Sequence, residues 1–106
     1  MIRLAAGDWV ATVRPGLGGA ITGLTWRGQP VLRPTPDGTE TILETACFPL
    51  VPYANRIADG RFVFGGREVE LPVLDPFAPH ALHGDGWLRP WTVEATDSAS
   101  VTLSLN

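Results

Sequence analysis

The sequence predicts an all-β protein built as an antiparallel β-sandwich, and three observations carry that prediction. Short runs of β-branched and aromatic residues recur along the 106 residues, separated by turn signals. Glycine and proline are abundant, with 12 and 10 residues, which suits a chain of short strands and turns. Hydrophobic residues make up 44% of the chain, enough to form a core. The length predicts a single domain over residues 1–106.

The first strands are predicted from turn signals near the N-terminus. Residues 2–6 and 9–13 are short β-type runs on either side of Gly7-Asp8, a pair that favours a hairpin turn. A third strand is expected over residues 20–26 and is closed by the turn-forming residues 27–30. These runs predict antiparallel strands in the N-terminal part of the chain.

The clearest local prediction is a hairpin over residues 61–71. Gly65-Gly66 supplies a two-residue turn with positive φ, and that turn fixes how the two strands pair. The expected pairs are Phe64 with Arg67, Phe62 with Val69, and Arg61 with Glu70. Opposite charges that face each other across a ladder contribute about 0.2–1 kcal/mol, so we expect one solvated, charge-paired face.

The C-terminal part of the chain predicts a further hairpin. Residues 91–96 and 100–105 read as strands joined by Asp97-Ser98. Residues 39–47 are the one stretch where a short helical turn competes, with Thr39 as its cap. Because the chain ends on a predicted strand, it leaves an open sheet edge. We therefore expect the N-terminal portion of a larger protein, or self-association or a partner chain that completes the sheet.

Charge and composition exclude several classes of function. The net charge is −3 and the charges are scattered, so no basic stripe indicates a nucleic-acid partner. All eight basic residues are arginine, which excludes Schiff-base chemistry and a Walker-type phosphate loop because both need lysine. Cys47 is the single cysteine and is expected to be a packing thiol. No signal-peptide pattern or membrane-spanning apolar run is present, so we expect a cytoplasmic protein that binds no membrane.

Polar residues stand out at two places where a hydrophobic core needs none. Asn55 and Arg56 end an apolar run that is punctuated by prolines, and His80 and His83 lie in a loop that follows three prolines. A guanidinium, an amide and an imidazole together suit a polyhydroxylated ligand, because they offer donors and acceptors in fixed directions. Binding residues are also commonly mounted on loops. The sequence therefore predicts a small-molecule site built from these residues.

These residues carry a resemblance to the aldose 1-epimerases, also called galactose mutarotases. The segments Tyr53-Ala-Asn-Arg-Ile-Ala-Asp-Gly-Arg-Phe62 and His80-Ala-Leu-His-Gly-Asp-Gly-Trp87 resemble the family's Asn-Arg-Ile and Leu-His-Gly elements. Upstream, Gly18-Gly-Ala-Ile-Thr-Gly-Leu-Thr-Trp-Arg-Gly28 resembles its early glycine-pair strand. The strands after residue 91 are similar to those that follow its His-Gly loop. The resemblance implies the galactose mutarotase-like supersandwich, with this chain as its N-terminal part.

The resemblance also implies a reaction and a site. Aldose 1-epimerases interconvert the α and β anomers of free hexoses such as galactose or glucose by acid/base ring opening and closing, without a metal or cofactor. By resemblance, Asn55 and Arg56 contact the sugar, and His83 contacts it and is the catalytic candidate. His80 is expected beside the sugar as support for His83. Trp87 is expected to line the sugar pocket or to pack at its rim.

The family's main acid–base pair has no counterpart here. Its principal general acid, another His, and its general base, a Glu, lie further along the chain. No His follows His83, and the single later Glu is Glu94, inside a predicted strand. Two alternative functions stay open for this reason: a non-catalytic carbohydrate-binding module, and a hexose 6-phosphate epimerase of the same fold. The second would need Arg61 and Arg89 as its extra cations.

Each candidate residue also has a purely structural interpretation. Arg56 can pair with Asp59, Asn55 can cap a turn, and His83 can bond to the backbone of its loop. The two histidines are a weak metal signal because no third strong ligand is evident, so no metal is expected.

Overall fold

The computed structural model describes all 106 residues, which form short strands and single helical turns joined by loops. The strands are β1 (Ile2–Ala6), β2 (Trp9–Arg14), β3 (Ala20–Trp26), β4 (Gln29–Pro30), β5 (Arg56–Ile57), β6 (Arg61–Phe64), β7 (Arg67–Glu70), β8 (Ala81–Leu82), β9 (Thr92–Thr96) and β10 (Val101–Ser104). The 3₁₀ turns are Ile42–Glu44, Ala58–Gly60, Asp75–Phe77 and Gly86–Leu88. Every strand pairing is antiparallel, which confirms the predicted all-β antiparallel class.

The chain divides into two compact units. The first comprises Met1–Pro49 and Gly86–Asn106, and the second comprises Leu50–Asp85. Strands β1 to β4, β9 and β10 belong to the first unit, and β5 to β8 belong to the second. The single domain over residues 1–106 stays a prediction. No helix of the structure has the length and apolar content needed to cross a membrane.

The main sheet of the first unit has the strand order β1-β2-β3-β4. The hairpin predicted around Gly7-Asp8 is confirmed, with Ala6 paired to Trp9. The prediction that Gln29-Pro30 belong to the turn that closes β3 is wrong. These two residues pair back onto the end of β3 as β4, because Arg27-Gly28 alone make the turn, with φ values of 49° and 77°.

A small apolar core holds the first unit together. Its buried apolar residues are Val13, Ala20, Ile42 and Trp87. The ring of Trp87 stacks on Phe48, with centroids 5.8 Å apart. Gly18 has a φ of 58°, and a Cβ at this position would overlap the carbonyl oxygen of Trp87. The early glycine pair therefore serves close backbone packing within this unit.

An apolar cavity of about 650 Å³ lies in the first unit, lined by side chains of the main sheet and of β10. Cys47 forms part of its wall, and its carbonyl accepts a hydrogen bond of 2.9 Å from the N–H of Ile21. The thiol of Cys47 is free and partly buried. This apolar setting is the packing environment that the sequence predicted for the thiol.

The hairpin predicted near the C-terminus is confirmed as β9 and β10, and Asp97 organises its turn. One carboxylate oxygen of Asp97 accepts the backbone N–H groups of Ala99 and Ser100, both at 2.8 Å. The other accepts the hydroxyl of Ser100 at 2.9 Å. The bond from Ala99, followed by those from Ser100, lowers the pKa of Asp97, because these donors favour the ionised carboxylate.

Residues 39–47 form one 3₁₀ turn, Ile42–Glu44, and no longer helix. The predicted cap does not form, because the hydroxyl of Thr39 donates to the carbonyl of Pro36 at 2.7 Å. Thr41 precedes the turn without a side-chain capping bond. The hydroxyl of Thr39 is therefore engaged in a local hydrogen bond within the loop and does not cap a helical turn.

In the second unit, β6 and β7 form the hairpin with the predicted register. The observed pairs are Arg61 with Glu70, Phe62 with Val69, Val63 with Glu68, and Phe64 with Arg67. Gly65 and Gly66 make the turn with φ values of 59° and 76°. The guanidinium of Arg61 contacts both glutamates on its face, Glu68 at 3.4 Å and Glu70 at 3.1 Å. The charge-paired, solvated face is confirmed.

Candidate functional site

The candidate residues of the second unit meet around the β5–β8 ladder, which contains only two residue pairs. These pairs are Arg56 with Leu82 and Ile57 with Ala81. Ala81 is completely buried, which fixes the ladder against the rest of the unit. Asn55 and His83 lie just beyond one end of the ladder, so the fold brings the Asn-Arg-Ile and Leu-His-Gly elements side by side.

Asn55 and His83 are joined by two hydrogen bonds, although they are 28 positions apart in the sequence. The N–H of His83 donates to the carbonyl of Asn55 at 2.9 Å. The N–H of Asn55 donates to Nδ1 of the His83 ring at 2.7 Å. In a hydrogen-bonded pair of an antiparallel ladder, two directly opposite residues exchange two N–H···O bonds. Here the imidazole of His83 replaces the carbonyl of His83 as the acceptor of one of these bonds.

The bond to Nδ1 fixes the chemical form of the His83 ring. A ring nitrogen that accepts an N–H bond carries no proton of its own. The neutral imidazole of His83 therefore carries its proton on Nε2, which makes Nε2–H the donor side of the ring.

Asn55 has a left-handed backbone, and its side-chain oxygen accepts a hydrogen bond from the next residue. Its φ is 69°, a conformation that Asn tolerates better than most residues. Its Oδ1 accepts the backbone N–H of Arg56 at 2.9 Å. The bond joins Asn55 to the first residue of β5, and both turn capping by Asn55 and a sugar contact from Asn55 stay predictions.

Arg56 is exposed, and its guanidinium makes no hydrogen bond or ion pair within the chain. The pairing with Asp59 that the sequence allowed does not form. A planar cation with five N–H donors is thus presented next to the Asn55–His83 pair. Such a group can hold two oxygens of one ligand at once.

His80 occupies an equivalent position at the other end of the β5–β8 ladder. The N–H of Asp59 donates to Nδ1 of His80 at 3.1 Å, and Asp59 has a φ of 54°. His80 is therefore held in the same Nε2–H form as His83. This contact between His80 and Asp59 is not predictable from the residue pattern, because the two residues are 21 positions apart and the acceptor is a ring nitrogen.

Trp87 belongs to the first unit and is only 2% exposed. Its ring stacks on Phe48, which favours the packing role over the pocket-lining role that the sequence left open. Lining of a sugar pocket by Trp87 stays a prediction.

Gly84 follows His83 in a tightly packed turn. Its φ is 64°, and a Cβ here would overlap the ring of Pro52 and lie 2.5 Å from the carbonyl oxygen of Val51. The backbone after His83 can therefore take this path only without a side chain.

Other chemistry-bearing side chains are dispersed or engaged. No group of three or more His, Cys, Asp or Glu residues lies together in a way that could hold a metal ion. Glu94 lies in β9, where its carboxylate accepts the hydroxyl of Ser104. Arg89 donates to the carbonyl of Asn106.

Comparison with known proteins agrees with this arrangement of elements. The family model described as aldose 1-epimerase matches residues 1–106, which is the whole chain. The uncharacterized protein YphB of Escherichia coli (strain K12) is 44% identical over 88 residues, covering 81% of this chain and 29% of YphB. The uncharacterized protein YihR of the same organism is 34% identical over 104 residues, covering 97% of this chain and 33% of YihR. The chain thus spans about a third of the length of these curated relatives.

Solved structures show the same fold. A candidate aldose 1-epimerase from Escherichia coli K12 has a TM-score of 0.85 at 38% identity, and the match covers 95% of this chain and 34% of that one. The GalM/aldose epimerase homologue from C. elegans has a TM-score of 0.79 at 25% identity, covering 98% of this chain and 34% of that one. The supersandwich implied by the resemblance is therefore the fold of which this chain forms a part. This chain belongs to the aldose 1-epimerase family.

Proposed function

We propose that this chain supplies part of the sugar pocket of an aldose 1-epimerase, which interconverts the α and β anomers of free hexoses. The observation that carries the proposal is the Asn55–His83 pair beside the unpaired guanidinium of Arg56. Family membership over the whole chain supports the same reaction class.

Ring opening needs two proton movements. A base takes the proton of the anomeric hydroxyl, and an acid protonates the ring oxygen as its bond to the anomeric carbon breaks. The open-chain aldehyde then rotates and closes on its other face. No electrons are transferred, and the proton removed from one oxygen is balanced by the proton delivered to the other.

Arg56 and His83 would act on the sugar in different ways. The guanidinium of Arg56 would bind two hydroxyl oxygens and so hold the ring in one orientation. His83 would donate from Nε2 to a sugar oxygen on which negative charge develops. Because Nδ1 accepts the N–H of Asn55, the ring can take up a further proton only by losing that bond. His83 therefore serves better as a hydrogen-bond donor than as the general acid.

The proton-transfer pair would come from residues outside this chain, on a longer chain or on a partner that completes the sheet. Within the chain, the single Glu after His83 is Glu94, and it is already bound by Ser104. This engagement is also the observation that favours the second candidate function, a carbohydrate-binding module without catalysis.

The hexose 6-phosphate alternative has less support. It needs cations to bind the phosphate, and both of its candidates are engaged. Arg61 contacts Glu68 and Glu70, and Arg89 donates to the carbonyl of Asn106. A phosphate would have to displace these partners before it could bind.

The test is the optical rotation of freshly dissolved α-D-glucose and α-D-galactose with and without the protein. When the residues that supply the proton-transfer pair are present, on the longer chain or on the partner, we expect the approach to equilibrium to be faster than the spontaneous rate. We expect that acceleration to fall at least about tenfold in Arg56→Ala and in His83→Ala, equivalent to the loss of about 1.4 kcal/mol or more. Arg67→Ala is the matched control for Arg56, because Arg67 is also exposed and has no ion pair.

The same samples distinguish the two candidate functions. Titration of the ¹⁵N-labelled protein with each sugar reports binding at Arg56 and His83 independently of rate. Saturable shifts without any acceleration would support the binding module and contradict catalysis by this chain. The absence of both shifts and acceleration from a folded protein would contradict both functions. Glucose 6-phosphate, titrated in parallel, tests the phosphate alternative.

A further inference from the structure

The left-handed backbone of Asn55 has a consequence for His83 that is separate from any sugar contact. The N–H of Asn55 reaches Nδ1 of His83 at 2.7 Å while the N–H of His83 reaches the carbonyl of Asn55 at 2.9 Å. Both residues leave the extended conformation where they pair, with φ values of 69° for Asn55 and 59° for His83. The contact with the imidazole is made by the backbone N–H of Asn55, and not by its side-chain amide.

The side chain of Asn55 stabilises that backbone conformation. Its Oδ1 accepts the N–H of Arg56 at 2.9 Å, a local bond that Asn forms readily in turns. For most residues with a Cβ, the left-handed region costs roughly 1–2 kcal/mol, and Asn and Asp are among the few that visit it routinely. The residue type at position 55 is thus accounted for by conformation alone.

The other end of the β5–β8 ladder repeats the same device. Asp59 has a φ of 54°, and its N–H donates to Nδ1 of His80 at 3.1 Å. In each case a left-handed Asn or Asp directs a backbone N–H at the same ring nitrogen of a histidine. The repetition indicates that the arrangement is a way of fixing an imidazole, because it occurs twice around one ladder.

We propose that Asn55 is a positioning residue, which holds His83 as the Nε2–H tautomer in one ring orientation through its left-handed backbone. The tautomer follows from the geometry alone, and its use on a sugar oxygen rests on the proposed function. The ligand oxygen that His83 would then contact must be a hydrogen-bond acceptor. The ring oxygen of a pyranose meets this requirement, because it carries no hydrogen and can only accept.

The test uses three substitutions at position 55 and a spectrum that reports the tautomer directly. In ¹⁵N-histidine-labelled protein, two-bond ¹⁵N–¹H correlations distinguish a protonated from an unprotonated ring nitrogen. They are recorded at a pH where the ring is neutral. Asn55→Gly keeps access to the left-handed region but removes the side-chain amide. Asn55→Asp keeps both the left-handed conformation and a side-chain oxygen for the N–H of Arg56. Asn55→Ala loses the left-handed conformation and the side-chain oxygen.

We expect His83 to appear as the Nε2–H tautomer in the wild type, in Asn55→Gly and in Asn55→Asp. In Asn55→Ala we expect mixed tautomers and about a tenfold loss of sugar affinity, since alanine resists the left-handed region. Sugar affinity should fall less in Asn55→Gly and in Asn55→Asp than in Asn55→Ala. The His80 signals serve as an internal control and should not move in any variant.

Three results would overturn the proposal. They are an Nδ1–H tautomer in the wild type, an unchanged His83 pattern in Asn55→Ala, and an Asn55→Gly variant that keeps the tautomer but loses sugar affinity. The last would assign Asn55 a direct contact through its amide. If the tautomer pattern is as expected and no form of the protein binds sugar, the positioning role stands and the proposed function fails.

Discussion

Two antiparallel pairs in the second unit are built in opposite ways. The β6–β7 hairpin is local, and its strands are joined by the two glycines at positions 65 and 66. The β5–β8 ladder joins distant segments, and hydrogen bonds at its ends connect residues 28 and 21 positions apart. The hairpin carries solvated ion pairs, whereas the ladder carries the residues with candidate chemistry.

The difference shows what sets the register of the two strands in the hairpin and in the ladder. In the hairpin a turn sets the register, so the side chains on the strands are free to be polar or apolar. In the ladder no turn is available, and histidine rings, left-handed residues and a tightly packed glycine set the register instead. We therefore expect the ladder to be far more sensitive to substitution than the hairpin.

The largest effect is expected from replacing one glycine in each pair of strands, because the two substitutions compare the stability of the ladder with that of the hairpin. Gly84→Ala should destabilise the ladder by about 3 kcal/mol, because the new Cβ meets Val51 and Pro52 in a left-handed backbone. Gly65→Ala should cost only about 1 kcal/mol, because its φ is also positive but no atom lies within 4 Å of the new Cβ.

Amide hydrogen exchange measured residue by residue checks this pair of variants. Protection should fall at Asn55 and His83, whose N–H groups bond across the end of the ladder, in Gly84→Ala and stay near the wild-type level in Gly65→Ala. Equal losses in the two variants would mean that the packing around Gly84 contributes nothing and that the left-handed conformation alone decides the cost.

A smaller effect is expected in the second local hairpin, β9–β10, which extends the comparison to the first unit. The donors around Asp97 lower its folded pKa, so its carboxylate stabilises the fold above the pKa of the unfolded chain. That stabilisation is lost as the pH falls through the lowered folded pKa. Asp97→Ala should therefore lower the urea midpoint at neutral pH, and the gap should close in acid.

Tryptophan fluorescence follows this unfolding, since all four tryptophans lie in the first unit. Asp97→Asn is the control, because it keeps an acceptor oxygen for Ala99 and Ser100 but cannot ionise. A gap between wild type and Asp97→Ala that is the same at all pH values would contradict the carboxylate as its source.

The smallest effect is expected at the ion pairs of the β6–β7 hairpin. Arg61→Gln removes the contacts to Glu68 and Glu70, both of which are exposed. Exposed pairs contribute at most about 1 kcal/mol, so we expect a loss of about 0.5 kcal/mol that disappears at high salt. A larger loss that persists in high salt would show that the hairpin depends on these charges as strongly as the ladder depends on its packing.

Much of the fold was predictable because its strands are joined by short turns. The Gly7-Asp8 and Gly65-Gly66 turns fix the register of their hairpins, and the structure has these registers. Gln29-Pro30 was misread as a turn because proline is rare in strands, yet a two-residue edge strand accepts it.

The sequence predicts which residues form the candidate site, but not the hydrogen bonds that join them. The sequence placed Asn55 and His83 in one site by resemblance, and the structure joins them by two hydrogen bonds. It gave no indication that the backbone of Asn55 would bind the His83 ring, or that Asp59 would do the same for His80. Such bonds depend on left-handed backbone conformations, which residue patterns indicate weakly outside glycine.

The packing around Gly18 has a consequence for genetics. A side chain at this position would overlap the backbone of Trp87, so any substitution should lower the amount of folded protein in a cell. A mutational scan that selects for activity alone would therefore score Gly18 with Arg56 and His83, although Gly18 performs no chemistry. Measuring cellular abundance and activity in the same library would separate them, since Arg56 variants should remain abundant and Gly18 variants should be depleted.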